Sequence, residues 1–234
     1  MTDPGRREEL ALRLAEVRRR IAKACVAAGR DVSEITLIAV TKTRPASDVR
    51  LLSELGLADV GENRDAEAAP KAAQCADLDL TWHFIGQLQT NKCASVVRYA
   101  SVVHSVDRLR LIRALGRAAR GAGRVIKCLV EVSLDGDPAR GGAVPGQVPA
   151  LAEALAAEEG LVLGGVMAIA PLTMEPADAF SRLPVSAAAV RAVRPGATMI
   201  SAGMSGDLEA AVEAGATHLR IGTALLGDRG PGVR

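Results

Sequence analysis

A closed (β/α)8 barrel of the TIM type, preceded by an extra N-terminal helix, is the α/β fold this chain predicts. Three observations predict it. From residue 35 onward, eight β-rich runs alternate with helix-length stretches, an order that implies parallel pairing. Leu, Val, Ile and Ala must fill the interior: 49% of residues are hydrophobic, yet there are only one Trp, one Tyr and two Phe. Branched aliphatic layers of that kind pack the inside of such barrels. The competing architecture, an open doubly wound sheet, normally carries a glycine-rich dinucleotide turn, and neither G-x-G-x-x-G nor a Walker sequence occurs.

Residues 1–29 read as an amphipathic helix, with Leu10, Leu14, Val17 and Ile21 on one face. Arg18, Arg19 and Arg20 lie largely on the other, and Gly29 ends it. A basic helix of this kind can lie on a membrane, but a solvated outer side is the plainer reading. Strands are expected at 35–40, 58–62, 81–86, 101–106, 124–133, 161–169, 198–203 and 218–225. Helices are expected between them at 46–56, 64–76, 90–99, 107–120, 147–159, 176–193 and 206–214. No Ser/Gly-rich linker divides the chain, so residues 1–234 are expected to form one domain, with the barrel over 35–227. The longest loop-like segment, 135–146, follows strand five. There it belongs to the functional face of a barrel, as a lid or as a surface loop with no task.

Charge and composition exclude several classes. A formal net charge of +2, with no basic stripe interleaved with aromatics, does not suit a nucleic-acid binder. Cys25, Cys75, Cys93 and Cys128 have no metal-like spacing and read as free thiols of a reducing compartment. No apolar run is long enough to cross a membrane, and no apolar signal core begins the chain. A cytoplasmic monomer is expected.

Chemistry enters at Lys42, one of only five lysines beside 24 arginines. It follows the apolar run 35–40, and Pro45 marks where that strand cannot continue. A lysine at a strand mouth can be a desolvated nucleophile towards an aldehyde, or merely a snorkelling strand-end residue. Far along the chain, 201–207 (SAGMSGD) ends strand seven and opens a helix. Its glycines, the Ser205 hydroxyl and a helix start together suit an anion. Gly222 and Thr223 follow on strand eight, and loops after strands seven and eight are the recurrent phosphate position of this fold. Taken singly, Ser205 could be a helix cap and Gly222 a packing relief. By alternation Arg220 shares the side of Gly222, inside the mouth, where a guanidinium needs an acceptor. Pyridoxal 5′-phosphate (PLP) carries the matching aldehyde, phosphate and ring nitrogen. A Schiff-base aldolase would also use a lysine and a phosphate site, but has less use for Arg220.

The residues resemble the YggS/PROSC-type pyridoxal phosphate homeostasis proteins. The matching stretches are 39–45 (AVTKTRP), 61–63 (GEN), 82–92 (WHFIGQLQTNK), 104–109 (HSVDRL), 165–169 (GVMAI), 203–205 (GMS) and 220–223 (RIGT). The resemblance implies a barrel of the alanine-racemase N-terminal type that holds PLP as a Schiff base on Lys42. It also implies phosphate contacts from Ser205 and from the Gly222 and Thr223 backbone, with Arg220 facing the pyridine nitrogen. Asn63 lines the pocket by the same resemblance, and Met204 sits among the cofactor-binding residues. The implied partners are PLP and the apoenzymes that use it, in intracellular PLP homeostasis. Many relatives carry a lysine in the loop after strand five; the nearest counterpart here is Arg140.

A binder is preferred over the alternative, a PLP-dependent racemase or decarboxylase. The single tyrosine, Tyr99, falls at the end of a helix away from the mouth. A racemase needs two proton-handling groups, and the sequence offers one. His83, His104 and His218 read as ordinary hydrogen-bonded histidines, because no carboxylate or cysteine stands at a supporting metal spacing. Lys127 shares a strand face with Glu131, so the two are expected to interact. Lys92 is expected on the rim, and Glu62 reads equally as a pocket residue or a core ion-pair partner.

Overall fold

In the computed structural model, which describes residues 4–137 and 140–227, eight parallel strands close into a barrel in sequence order. They are β1 (Thr36–Val40), β2 (Asp59–Glu62), β3 (Thr81–Phe84), β4 (Val102–Val106), β5 (Ile126–Val132), β6 (Leu161–Ala168), β7 (Met199–Ser201) and β8 (His218–Ile221). The pairing of β1 with β8, from Thr36↔His218 to Ala39↔Ile221, closes the ring. The expected alternation is thus the observed one. Most strand residues are buried, because helices cover the outer side of the barrel.

The helices are α1 (Pro4–Ala27), α2 (Ala46–Glu54), α3 (Asp65–Gln74), α4 (Cys93–Tyr99), α5 (Leu109–Gly121), α6 (Val148–Ala157), α7 (Pro176–Phe180), α8 (Leu183–Val193), α9 (Leu208–Glu213) and α10 (Thr223–Leu226). Leu10, Leu14, Val17 and Ile21 of α1 are buried, as their spacing predicts, and each such side chain contributes about 1.5–3 kcal/mol by leaving water. Residues 1–3 of the expected helix lie outside the described residues. Arg20 ties α1 to the neighbouring α9, pairing with Glu209 and donating to the Ser205 carbonyl at 3.0 Å. No helix among the described residues is long and apolar enough to cross a membrane, and all four cysteines are free and buried.

Three expectations need correction. The last strand ends at Ile221, not 225, because the chain turns at Gly222 into the helical turn α10. The helix expected over 176–193 is two helices, broken at Ser181–Arg182, where Pro184 can occupy only a first turn. Lys127 does not pair with Glu131 among the described residues: it is exposed near the opposite end of β5. Residues four apart on a strand stand about 13 Å apart at ~3.3 Å per residue, and Leu129, packed with Val102 and Met167 inside the barrel, lies between them. The β5–β6 ladder also shifts register, Cys128 facing Leu163 and Leu129 facing Gly165. Gly165 has φ of 148°, and a Cβ there would collide with the Met199 carbonyl oxygen.

Candidate functional site

Every sequence-nominated binding residue lines one cavity at the C-terminal mouth of the barrel. Lys42, Asn63, Met204, Ser205, Arg220, Gly222 and Thr223 surround a volume of about 530 Å³. Segments some 180 residues apart in sequence therefore meet, because β1 and β8 are neighbours in the closed ring.

Lys42 is half-buried on the turn after β1, and its ammonium has no hydrogen bond or ion pair among the described residues. The turn itself is fixed on both sides. Lys71 Nζ donates to the Thr41 carbonyl at 2.7 Å and to Glu62 Oε1 at 2.5 Å, and Thr41 Oγ1 donates to the same carboxylate oxygen at 2.6 Å. Burial raises the Glu62 pKa, against the lowering pull of Lys71 and Thr41. Glu62 is thus the core ion-pair partner of the two roles the sequence left open. On the other side, Thr43 N–H donates to Glu67 Oε2 at 2.9 Å, with Thr43 held at φ 64°. A β-branched residue resists that left-handed conformation, so the turn carrying Lys42 is built under strain.

Asn63 follows β2, and its Oδ1 is buried with no partner among the described residues. Gly86, after β3, packs so closely that a Cβ would strike the Asn63 carbonyl oxygen, which holds Asn63 in place. The hydroxyl Oγ of Ser205 accepts from Ala224 N–H at 3.2 Å, so Ser205 caps α10, not the helix that follows it. Its own O–H remains available to the cavity. Gly222 is not a packing relief: a Cβ there would meet nothing closer than Val40 at 3.6 Å, so the room beside it opens towards the cavity. Its small size fits close approach of a ligand to the backbone. Met204 is 38% exposed on the rim.

Arg220 is 3% exposed, and the protein itself supplies two acceptors: Ser201 Oγ at 2.6 Å and the Ala168 carbonyl at 2.9 Å. Burial lowers its pKa to about 10, opposed by Asp207 and Glu131, so it stays a cation at neutral pH.

Sequence reasoning missed Glu131 as a lining residue. Burial, then the nearby Asp107, pushes its carboxyl up to about 7, against Arg220, Arg108 and Arg140. The available signal was a lone acid near the C-terminal end of an apolar strand, the functional end of a barrel. Arg140 lines a small pocket that adjoins the main cavity at Glu131, Gly141 and Ile169, donating to Asp135 Oδ2 at 3.1 Å and to the Ile169 carbonyl at 3.3 Å. Its neighbours Pro138 and Ala139, within the expected loop 135–146, lie outside the described residues. Lys92 is exposed and is not among the lining residues. Tyr99 packs edge-on against Trp82 at 6.4 Å between ring centres, donates its hydroxyl to Asp65 Oδ1 at 3.4 Å, and is not among the lining residues.

Residues 12–230 match the family described as alanine racemase, N-terminal domain. A pyridoxal phosphate homeostasis protein of Mycobacterium tuberculosis is 45% identical over 97% of this chain and 95% of its own. One from Pseudomonas aeruginosa is 42% identical, covering 96% and 97%. The chain belongs to this family. Among solved structures, PipY of Synechococcus elongatus with PLP bound is 36% identical with a TM-score of 0.81, covering 93% of this chain and 100% of that one. The barrel is accordingly of the alanine-racemase N-terminal type, with α1 added before β1.

Proposed function

We propose that this chain holds PLP covalently through Lys42 and serves intracellular PLP homeostasis as a binder of the cofactor. One observation carries the reading: an amine with no partner among the described residues, a buried guanidinium and a hydroxyl-and-glycine cradle open onto a single cavity. The homologues named as pyridoxal phosphate homeostasis proteins, and the PipY structure containing PLP, support it. Bound there, PLP supplies an aldehyde, a phosphate and a pyridine nitrogen. Lys42 would condense with the first, releasing water. Ser205 O–H and the Gly222 and Thr223 backbone would hold the second, since the first N–H groups of a helix lack partners inside it. Arg220 would face the third and disfavour its protonation. Asn63 Oδ1, a buried acceptor without a donor among the described residues, would take a hydrogen bond from a ligand hydroxyl.

Borohydride reduction followed by peptide mapping tests the assignment. The adduct is expected on Lys42 and absent from Lys42→Ala, whose thermal midpoint stays near that of the parent; an adduct on Lys127 or Lys92 refutes it. Cofactor transfer to apoenzymes and a monomeric state belong to the same proposal, checked by transfer assays and by light scattering. Glu131 favours one second reading, an amino-acid racemase or decarboxylase, because it gives the cavity a titrating group near pH 7. Amino-acid-dependent exchange of the α-proton far above the rate with free PLP would establish that enzyme and displace the binder.

A further inference from the structure

Arg220 stands at one end of a hydrogen-bonded chain that crosses the barrel interior. Its Nη1 donates to Ser201 Oγ, which lies 3.0 Å from His104 Nδ1. His104 Nε2 lies 2.9 Å from His83 Nδ1, and His83 Nε2 lies 2.8 Å from Asp59 Oδ1. Ser201 and His104 are 0% exposed and His83 is 2% exposed, so none of these groups has recourse to water. Asp59, at the N-terminal start of β2, reaches a second cavity of about 550 Å³ beneath α1. The chain therefore runs from the proposed cofactor pocket to the opposite end of the barrel.

The hydrogen-bond roles admit one assignment. A guanidinium only donates, so Ser201 Oγ must accept from it. The Ser201 proton is then satisfied only by donating to His104 Nδ1; the reverse would strand a buried hydroxyl donor. His104 consequently carries its proton on Nε2 and donates to His83 Nδ1. His83 in turn carries its proton on Nε2 and donates to Asp59, a carboxylate that only accepts. Both ends impose the same direction. The neutral state of His104 agrees with burial, then His83, Arg220 and His218, holding its pKa well below the usual value.

We propose that Ser201, His104 and His83 are positioning residues that fix the Arg220 guanidinium towards the cofactor pocket, with Asp59 as their anchor at the far mouth. The chain acts because each donor polarises the next, so the Nη1 side of Arg220 is held by four linked residues, while Nη2 is held by the Ala168 carbonyl. This rests on the PLP reading of the pocket for its consequence, but not for its existence.

The test has two arms. Nitrogen-15 spectra of histidine-labelled protein without added PLP are expected to show both His83 and His104 as Nε2–H tautomers at neutral pH. Asp59→Ala, a partly exposed position, is expected to shift the His104 Nε2–H signal two hydrogen bonds away, and to speed PLP release about threefold through loss of cooperative polarisation. Ser201→Ala is expected to speed release about tenfold, for loss of a hydrogen bond to a charged group, and Ser201→Thr to restore it. An Nδ1–H tautomer at either ring overturns the proposal. So does an unmoved His104 signal in Asp59→Ala, or equal release from Ser201→Ala and Ser201→Thr. If the parent protein retains no PLP, the reading of the pocket fails, and the tautomers and the Asp59→Ala signal still decide the chain.

Discussion

Replacing Lys71 by methionine removes the cation paired with Glu62, a carboxylate wholly inside the protein. The side chains of Lys71 and Glu62 are 7% and 0% exposed. Methionine keeps most of the volume and deletes two hydrogen bonds, to Glu62 at 2.5 Å and to the Thr41 carbonyl at 2.7 Å. Glu62 would retain only the Thr41 hydroxyl, since its Oε2 already lacks a partner among the described residues. Breaking a buried pair in this way costs about 3–5 kcal/mol, whereas removing both charges costs far less. Lys71→Met should therefore lose about 3–5 kcal/mol at pH 7.5, and Glu62→Gln with Lys71→Met only about 1–2 kcal/mol. The loss should also depend on pH. Without Lys71, the folded-state pKa of Glu62 rises further above its unfolded value. The folded protein then binds more protons than the unfolded chain over a wider window, so stability falls as pH rises. At pH 5 the gap to the parent should shrink. Urea unfolding followed by circular dichroism at both pH values measures this. A single-variant loss below about 1 kcal/mol, equal at both pH values and additive in the double variant, would refute the reasoning.

Glu131→Gln tests the titrating carboxyl in the pocket. Its folded pKa of about 7 lies above the ordinary 4.5, so the parent loses stability as pH rises from 4.5 to 7 and then levels off. At ~1.36 kcal/mol per pH unit the full effect is about 3 kcal/mol, reduced by solvent in the cavity. The variant should be more stable than the parent by about 1–3 kcal/mol at pH 8 and no different at pH 4; parallel pH–stability curves would contradict it. Thr43→Gly relieves the φ of 64° and should raise stability by up to about 1 kcal/mol, while loosening the turn that carries Lys42. Denaturation midpoints and PLP release rates measure both, and a destabilised variant would show that Thr43 is not strained.

The sequence determined the barrel, because apolar runs with helix-length spacers leave parallel closure as the way to cover every strand. It also nominated Lys42, Ser205, Arg220, Gly222 and Thr223 for one cavity through their positions at strand ends, and Asn63 and Met204 through the family resemblance. Where it failed, the reason was geometric. Glu131 was paired with Lys127 on face alternation alone, although a strand separates such residues along its length and Leu129 fills the space between them. The break before Leu183 had a local signal in Pro184, which suits only a first turn, whereas the turn at Gly222 depended on packing. Only the tertiary structure joined Asp59, His83, His104, Ser201 and Arg220, contributed by β2, β3, β4, β7 and β8. Backbone pairing follows from local pattern and chain order. Hydrogen bonds across a barrel interior depend on which side chains meet once the ring has closed, and that meeting is fixed by strand register and tilt together.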